Sequence, residues 1–302
     1  MSALGGGPPD PGDTVHLRSG GPPRTSDRSG ALRSTAIALT STVIFLAAIG
    51  WIVVNAPGWA AVQESFLNGE IFAETFGFID GEFVWERSIL RFFLTNVALF
   101  LIAEVLILVF GLVLAVLRSL PGPALFPFRA AATIYADIFR ALPGILVVYI
   151  LGFGIPGLGI AGVPVDPFIY AVVALTLIYS AYVSEVYRAG IDSVHPSQEA
   201  AARSLGLSRF QSLRHVILPQ AVRRVVPPLL NDFIGLQKDT VLVSYIGVVE
   251  IFRASQIKQA ATFNYTPYLA TALVFIVMTI PLARLVDWLV ARDRRRAAAS
   301  VR

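Results

Sequence analysis

Six apolar stretches, each of about 20 residues or more, are the feature that most constrains how this chain folds. A helix of about 20 apolar residues crosses the hydrocarbon core of a bilayer. The chain is 55% apolar and 15% charged, with a mean hydropathy of +0.69, which is more apolar than one soluble core requires. The sequence therefore predicts an all-α integral membrane protein. Its six transmembrane helices are expected at residues 36–57, 89–117, 130–153, 168–188, 224–248 and 268–290.

Arginines next to the first and last apolar stretches indicate the orientation. Arg28 and Arg33 precede the first stretch, and Arg294 and Arg295 follow the last. Because short cytoplasmic flanks carry an excess of arginine and lysine, both termini are expected in the cytoplasm. The acidic segment 59–88 then lies outside, where a solvated loop is favoured over a surface that meets a partner.

Composition divides the chain into five parts. The N-terminal part is rich in Gly, Pro and Ser without apolar periodicity, so it is expected to be disordered. No small-residue cleavage site follows the first apolar stretch, so that helix is expected to stay in the mature protein. The five parts are a disordered cytoplasmic tail (1–34), an additional N-terminal transmembrane helix (35–58), the extracytoplasmic acidic segment (59–88), a helical core (89–291) and a basic cytoplasmic tail (292–302).

Residue types exclude several kinds of chemistry. There is no cysteine, and His16, His195 and His215 are scattered, which argues against thiolate chemistry and against a metal site. No Gly-rich loop followed by lysine is present to hold a nucleotide phosphate. The net charge of +4 comes from arginines that lie mainly in the tails and at loop edges, where membrane proteins place them. It therefore gives no reason to expect nucleic-acid binding. An intramembrane enzyme is disfavoured, since neither His nor Cys lies within the predicted spans.

The longest polar stretch between two apolar stretches, residues 195–219, predicts a hairpin of two short helices. Ser197 is expected to N-cap the first helix, and Gly206 to end it in the left-handed conformation. Ser208 and Gln211 form a capping box for a second helix, which Pro219 is expected to end. Two interpretations remain open: the hairpin enters a groove of a partner, or it lies on the lipid headgroups.

This loop resembles the signature of a known family. The signature is Glu-Ala-Ala, three residues, Gly, nine residues, Ile, one residue and Leu-Pro; this chain has Ala201-Ala202, Gly206, Val216 and Leu218-Pro219 at those spacings. At the signature glutamate stands Ala200, and Glu199 precedes it. From residue 90 to 290 the chain is similar to permease subunits of ATP-binding-cassette importers for polar amino acids of the histidine, glutamate, glutamine, arginine and opine type.

The resemblance implies a transport subunit that is not itself an enzyme. It implies a cytoplasmic ATPase dimer gripped by the hairpin, with ATP and Mg on that partner and no cofactor in this chain. It also implies a second permease subunit, related or identical, with a heterodimer slightly favoured, and an extracytoplasmic solute-binding protein. A bacterial inner membrane and a glutamate-like, glutamine-like or related solute are expected. The ATPase-coupling residues would be Glu199, Ala200, Ala201, Ala202, Gly206, Leu207, Phe210 and Pro219.

Lys238 and Asp239 interrupt the fifth apolar stretch. An ionised group at the bilayer centre costs at least about 2.5–3.5 kcal/mol, so such groups face a bundle interior or an aqueous cavity. One interpretation places them on the substrate path; the other has them lock helices together through Arg140 or Glu104. The former is favoured, and both can hold in different transport states. The candidate path residues are Asn231, Lys238, Asp239, Thr240, Arg140 and Glu104.

Other charged residues in the spans have simpler interpretations. Arg140 and Asp137 are spaced to pair on one helix, which is favoured over a carboxylate clamp formed by Arg140. Glu185 and Arg188 are expected to form a structural pair. For Glu104, contact with a cation and a protonated, hydrogen-bonded acid remain equally open.

A second class of function uses the same charged residues. An ion- or proton-coupled secondary transporter would employ Lys238, Asp239 and Glu104 as a relay. Such carriers show internal repeats of hydropathy, and none is evident here. The hairpin at residues 195–219, with its helix caps, also has no purpose in that mechanism. The importer subunit is therefore favoured.

Overall fold

A computed structural model describes residues 28–120 and 122–299; of residues 28–32, 209, 293, 294 and 296–299 only the backbone is described. The chain divides into two compact units, residues 1–60 and 61–302. The first unit contains helix α1 (Arg28–Val54). Residues 28–34, expected to be disordered, form its first turns, because extending an existing helix adds hydrogen bonds without a new nucleus. The rest of the predicted disordered tail, residues 1–27, lies outside the described residues.

The second unit is almost entirely helical. It begins with α2 and α3, a two-stranded antiparallel hairpin β1–β2 and the long helix α4. The elements are α2 (Trp59–Phe66), α3 (Gly69–Thr75), β1 (Phe78–Ile79), β2 (Glu82–Phe83), α4 (Leu90–Arg118), α5 (Phe126–Ala141), α6 (Gly144–Tyr149), α7 (Ile155–Gly157), α8 (Pro167–Asp192), α9 (Pro196–Ser204), α10 (Arg209–Ser212), α11 (Leu218–Asp239), α12 (Ile251–Thr262) and α13 (Thr266–Ala299).

Four helices of the described chain are long and apolar enough to cross a membrane, and the number rises to six if two bent helix pairs each count as one span. The four lie within α1, α4, α8 and α13. A multi-pass membrane fold is therefore correct. The remaining two predicted spans, 130–153 and 224–248, are not single straight helices.

The predicted span 130–153 is broken at Leu142 and Pro143. The chain bends by 106° between Phe126–Ala141 and Gly144–Gly157. Proline has no N–H to donate and disfavours a helical conformation in the residue before it. Leu142 is accordingly extended, with φ −79° and ψ 137°.

The predicted span 224–248 is interrupted beyond its middle. α11 starts at Leu218, earlier than expected, and runs through Pro227 and Pro228 without ending. A 3₁₀ turn (Thr240–Ile246) and the left-handed Gly247 follow. The bend of 49° then leads into α12, so the irregular backbone lies after the charged residues and not at the two prolines.

The core of the second unit lies where α4, α8 and α11 pack together. Leu99, Ile107, Leu175 and Leu236 are fully buried there. Two glycines allow the helices to approach closely: a Cβ on Gly111 would lie 2.7 Å from Val183, and one on Gly190 would overlap Val225. These contacts hold the three helices that carry most of the candidate site residues.

The predicted acidic loop 59–88 has a defined structure. Three hydrogen bonds tie it to the chain just before and at the start of α13: Asn264 Nδ2 to Glu64 O (2.6 Å), Asn68 N to Thr266 Oγ1 (3.2 Å), and Tyr265 N to Ser65 O (2.7 Å). It also contains the β1–β2 hairpin. The segment is therefore folded, and most of its side chains are exposed or half-buried; whether it is only solvated or meets a partner stays a prediction.

Candidate functional site

Two faces of α11 carry the polar residues of the interrupted stretch. Asn231 and Lys238 are exposed, whereas Asp232 and Asp239 are half-buried. Asn231 lines a cleft of about 540 Å³ between α11 and α13. Asp239 faces α8, where the hydroxyl of Tyr179 donates a hydrogen bond of 2.8 Å to Oδ2 of Asp239.

One half-buried acid of α11, Asp232, lies near an acid on α4. Glu104 and Asp232 are close enough to interact electrostatically, and Tyr179 lies in the field of both Asp232 and Asp239. Oδ2 of Asp232 is buried without a hydrogen-bond partner among the described residues. We call Glu104, Asp232, Asp239 and Tyr179 the acidic cluster. It lies between α4, α8 and α11 and suits a group that carries positive charge.

The helix-locking interpretation named the wrong partners. Asp239 is held by Tyr179 and not by Arg140 or Glu104. Lys238 forms no ion pair with any residue that the structure describes. Tyr179 and Asp232 lie in the acidic cluster with Asp239 and Glu104, and neither was among the candidate path residues. Asp232 lies seven residues before Asp239, a spacing that places both on one helix face, but a tyrosine in an apolar stretch gives no distinctive signal.

Thr240 lies in a different, buried network. Its hydroxyl donates to the carbonyl of Gln237 (2.8 Å) and accepts from Nδ2 of Asn96 (3.0 Å). Asn96 also donates to Glu250 (3.0 Å), which is fully buried and caps the first turn of α12. This network joins α4, α11 and α12, and Thr240 is fully buried within it.

Arg140 is paired with another helix. Its Nη1 lies 2.9 Å from Oε1 of Glu185 on α8, and the same oxygen receives a hydrogen bond of 2.7 Å from Arg118 on α4. Arg188 lies 3.6 Å from Oε2, as the expected pair with Glu185. We call these four residues the Glu185 cluster. The expected pair of Arg140 with Asp137 does not form, because Glu185 holds the guanidinium across the α5–α8 contact.

The first helix of the predicted hairpin is α9. It starts two residues before the expected position, with His195 and not Ser197 as N-cap. The backbone N–H of Ser197 donates to Nδ1 of His195 (3.2 Å), and the Ser197 hydroxyl lies 2.8 Å from the same nitrogen. The reason is Pro196, since proline is pre-organised for the first helical position.

Gly206 ends α9 as expected. It has φ +85°, and the N–H of Leu207 bonds to the carbonyl of Ala202 (3.3 Å) while that of Gly206 bonds to Arg203 (3.0 Å). This pair of bonds is a Schellman motif. The following capping box is also present, with Ser208 N to Gln211 Oε1 (2.9 Å) and Gln211 N to Ser208 Oγ (3.2 Å).

Pro219 does not end the second helix. α10 continues through a π-helical turn (Leu213–Ile217) into α11. A proline ring clashes with the carbonyl four residues earlier in a regular helix. The residue four positions before Pro219 is His215, and it lies in the wider π turn, so the proline ring is accommodated. The loop is therefore continuous with α11, the helix that carries Asp239.

The predicted coupling residues differ in exposure. Leu205 and Phe210 are 85% and 68% exposed at the tip of the loop. Ala200 and Ala201 are exposed, Leu207 is half-buried and Ala202 is buried. Glu199 is half-buried and lines a cleft of about 420 Å³ with His195 and Leu213. The loop is thus a rigid hairpin with apolar side chains at its tip.

Over residues 28–120 and 122–299 no group of three or more His, Cys, Asp or Glu is placed to hold a metal ion.

Comparison with known proteins agrees with this geometry. Residues 124–295, more than half of the chain, match the family described as the binding-protein-dependent transport system inner membrane component. The chain is 34% identical over 194 residues to the probable glutamine ABC transporter permease protein GlnM of Bacillus subtilis (64% of this chain, 88% of that protein). It is 36% identical over 193 residues to the arginine transport system permease protein ArtQ of the same organism (63% and 87%).

A solved structure has the same fold. A chain of an amino acid ABC transporter crystallised with histidines superposes with a TM-score of 0.62 at 31% identity, covering 68% of this chain and 93% of that one. The aligned part of the present chain therefore corresponds to nearly the whole of that relative. The matched family residues begin at 124, so α1 lies outside the family match.

Proposed function

We propose that this chain, which belongs to the family of inner membrane components of binding-protein-dependent transport systems, is the permease subunit of an ATP-driven importer of a polar amino acid. It spans a bacterial inner membrane six times, with both termini in the cytoplasm and each bent helix pair counted as one span. The remaining subunits are a separate ATPase dimer, a second, related permease and an extracytoplasmic binding protein.

The observation that carries this proposal is the rigid hairpin 195–219. The Schellman motif at Gly206 and the capping box after it define the turn between two short helices, and Leu205 and Phe210 beside this turn are exposed. Large exposed apolar side chains on a rigid element mark a protein interface. The partner that fits this surface is the ATPase, with a groove that receives the hairpin tip. This ATPase hydrolyses the ATP that drives transport through the present chain.

The acidic cluster supports the substrate class. Every amino acid brings an ammonium group, and Glu104, Asp232 and Asp239 offer carboxylates to it in a setting where an ionised group requires a partner. The same cluster repels a second carboxylate on the solute. We therefore place glutamine-like and cationic amino acids before glutamate, in keeping with the glutamine and arginine in the relatives' names.

The experiment compares two substitutions at Gly206 in the tagged protein purified from native membranes in mild detergent. Gly206→Val places a β-branched residue at φ +85°, which that residue tolerates poorly, whereas Gly206→Asn is a matched control because asparagine populates the left-handed region. Mass spectrometry of co-purifying proteins is the measurement. We expect an ATPase with the wild type and with Gly206→Asn, and its loss with Gly206→Val.

Two results would contradict the proposal. If the wild type purifies as a stable protein without any ATPase, the importer function is wrong. If Gly206→Val retains the ATPase as fully as the wild type does, the hairpin is not the coupling element, and a contact elsewhere must be sought.

A further inference from the structure

Three arginines from three helices share the single carboxylate of Glu185. Arg118 on α4 and Arg140 on α5 both contact Oε1, at 2.7 and 2.9 Å, and Arg188 on α8 approaches Oε2 at 3.6 Å. No other described carboxylate lies within 4 Å of these arginines. The Glu185 cluster therefore carries an excess of two positive charges.

The three guanidinium groups of the Glu185 cluster differ in their exposure to solvent and in how many of their N–H donors have a hydrogen-bond partner. Arg118 is only 7% exposed, yet its Nε has no hydrogen-bond partner among the described residues. The side chains of Arg140 and Arg188 are 41% and 43% exposed. A guanidinium presents five donors in a planar fork that matches a carboxylate. Arg140 uses one of these donors on Glu185, so it is open to a second carboxylate.

The cluster lies between the acidic cluster and the hairpin. Glu185 follows Tyr179 by six residues on α8, which is a distance of about 9 Å along the helix axis. Arg118 is at the end of α4 and Arg140 near the end of α5. A solute that leaves the acidic cluster toward the hairpin end of α8 reaches the Glu185 cluster next.

We propose that the Glu185 cluster binds the α-carboxylate of the transported amino acid, and that Glu185 is a tethered competitor which occupies Arg140 when no solute is present. Arg140 is the residue that touches the solute, whereas Arg118 positions Glu185. The proposal rests on the proposed importer function. The proposal gives a role to the two excess positive charges of the Glu185 cluster. A purely structural ion pair would need only one arginine.

The test measures equilibrium binding to the purified complex of this chain with its co-purifying subunits, in detergent and without the binding protein. The probes are radiolabelled L-glutamine and L-arginine, each competed with its own α-carboxamide, in which a neutral amide replaces the carboxylate. We expect the wild type to prefer the free acid by about tenfold, the size of one charge-assisted hydrogen bond.

Substitutions then assign the preference to the cluster. Arg140→Gln is expected to abolish the preference for the free acid, and Arg140→Lys, which keeps the charge but not the fork, to retain part of it. Glu185→Gln removes the competing charge and is expected to raise the preference above the wild-type value. The matched control is Arg129→Gln, because Arg129 lies at the start of the same helix and, among the described residues, its guanidinium donates hydrogen bonds to the backbone carbonyls of Leu120 and Gly122 and pairs with no carboxylate.

The outcomes separate the two proposals. Failure of the assembled wild-type complex to bind or take up any of the 20 standard amino acids overturns the importer function and this inference together. If the wild type binds glutamine or arginine but accepts the α-carboxamide equally well, the inference alone is wrong. It is also wrong if Arg140→Gln keeps the wild-type preference, or changes only the dependence of binding on anionic lipid, since the arginines then contact a headgroup.

Discussion

The hydroxyl of Tyr179 on α8 donates a hydrogen bond of 2.8 Å to the carboxylate of Asp239 on α11. A bond of this kind satisfies a half-buried carboxylate without neutralising it. Gly235 lies one turn away, where a Cβ would be 3.2 Å from the same hydroxyl. Tyr179 therefore fixes where the negative charge of Asp239 lies, and it also fixes the distance between the two helices.

Tyr179→Phe removes this donor and leaves the ring in place. We expect a loss of about 1.5–3 kcal/mol in the free energy of unfolding, as for a hydrogen bond to a charged group, together with slower amino-acid uptake. Thermal unfolding in detergent and uptake into proteoliposomes measure the two effects. Tyr182→Phe is the control, because among the described residues the Tyr182 hydroxyl donates only a long hydrogen bond of 3.4 Å, to the Arg140 carbonyl. Equal behaviour of the two variants would show that the Asp239 contact has no role.

Asp232→Asn tests the charge of the acidic cluster at nearly constant volume. Loss of one charge-assisted contact is expected to raise the KM for arginine uptake by about tenfold and to change glutamate uptake far less. The control is Asp287→Asn on α13, since Asp287 is exposed and its ion pair among the described residues is with Arg284, at 3.9 Å. A KM for arginine that does not move would remove Asp232 from the path.

Thr240→Val tests whether Thr240 is a structural residue. Valine has nearly the same shape but cannot bond to Asn96 or to the Gln237 carbonyl. We expect a loss of about 1–3 kcal/mol in stability, from the unsatisfied amide of Asn96, with an unchanged KM for uptake. Thr262→Val, at an exposed position on α12, is the control for stability. An increase in KM without destabilisation would return Thr240 to the substrate path.

Gly190→Ala tests the close approach of α8 and α11. The added methyl group would overlap the side chain of Val225, and overpacking of this kind costs about 1–3 kcal/mol. Removing two methyl groups with Val225→Ala in the same chain should restore most of the lost stability. The melting temperatures of the single and double variants are the measurement. Additive losses in the double variant would contradict the predicted contact.

Apolar length and capping chemistry were the reliable signals in the sequence. They predicted the membrane fold, the capping box at Ser208 and the left-handed end of α9 at Gly206, because these depend on nearby residues. The breaks at Pro143 and after Asp239 were missed, since an apolar stretch retains its hydropathy when its helix is bent. Pro196 also indicated the start of α9 more strongly than Ser197 did.

The partners of the charged residues could not be predicted in the same way. Arg140 has a carboxylate three residues earlier on its own helix, yet it bonds to Glu185, 45 residues away. Asp239 likewise bonds to a tyrosine 60 residues away. Such pairs depend on which faces of α5, α8 and α11 meet, and spacing along one helix carries no information on that.

The π-helical turn before Pro219 has a mechanical consequence. Because helical backbone continues from Phe210 to Asp239, the hairpin tip is joined to Asp239 of the acidic cluster by a helical path of about 43 Å at 1.5 Å per residue. A tilt of about 5° about either end displaces the other by almost 4 Å on this length. We therefore expect a small movement imposed at Phe210 to reach Asp239 as a change in the distance between its carboxylate and the Tyr179 hydroxyl, since no loop lies between the two residues to absorb it.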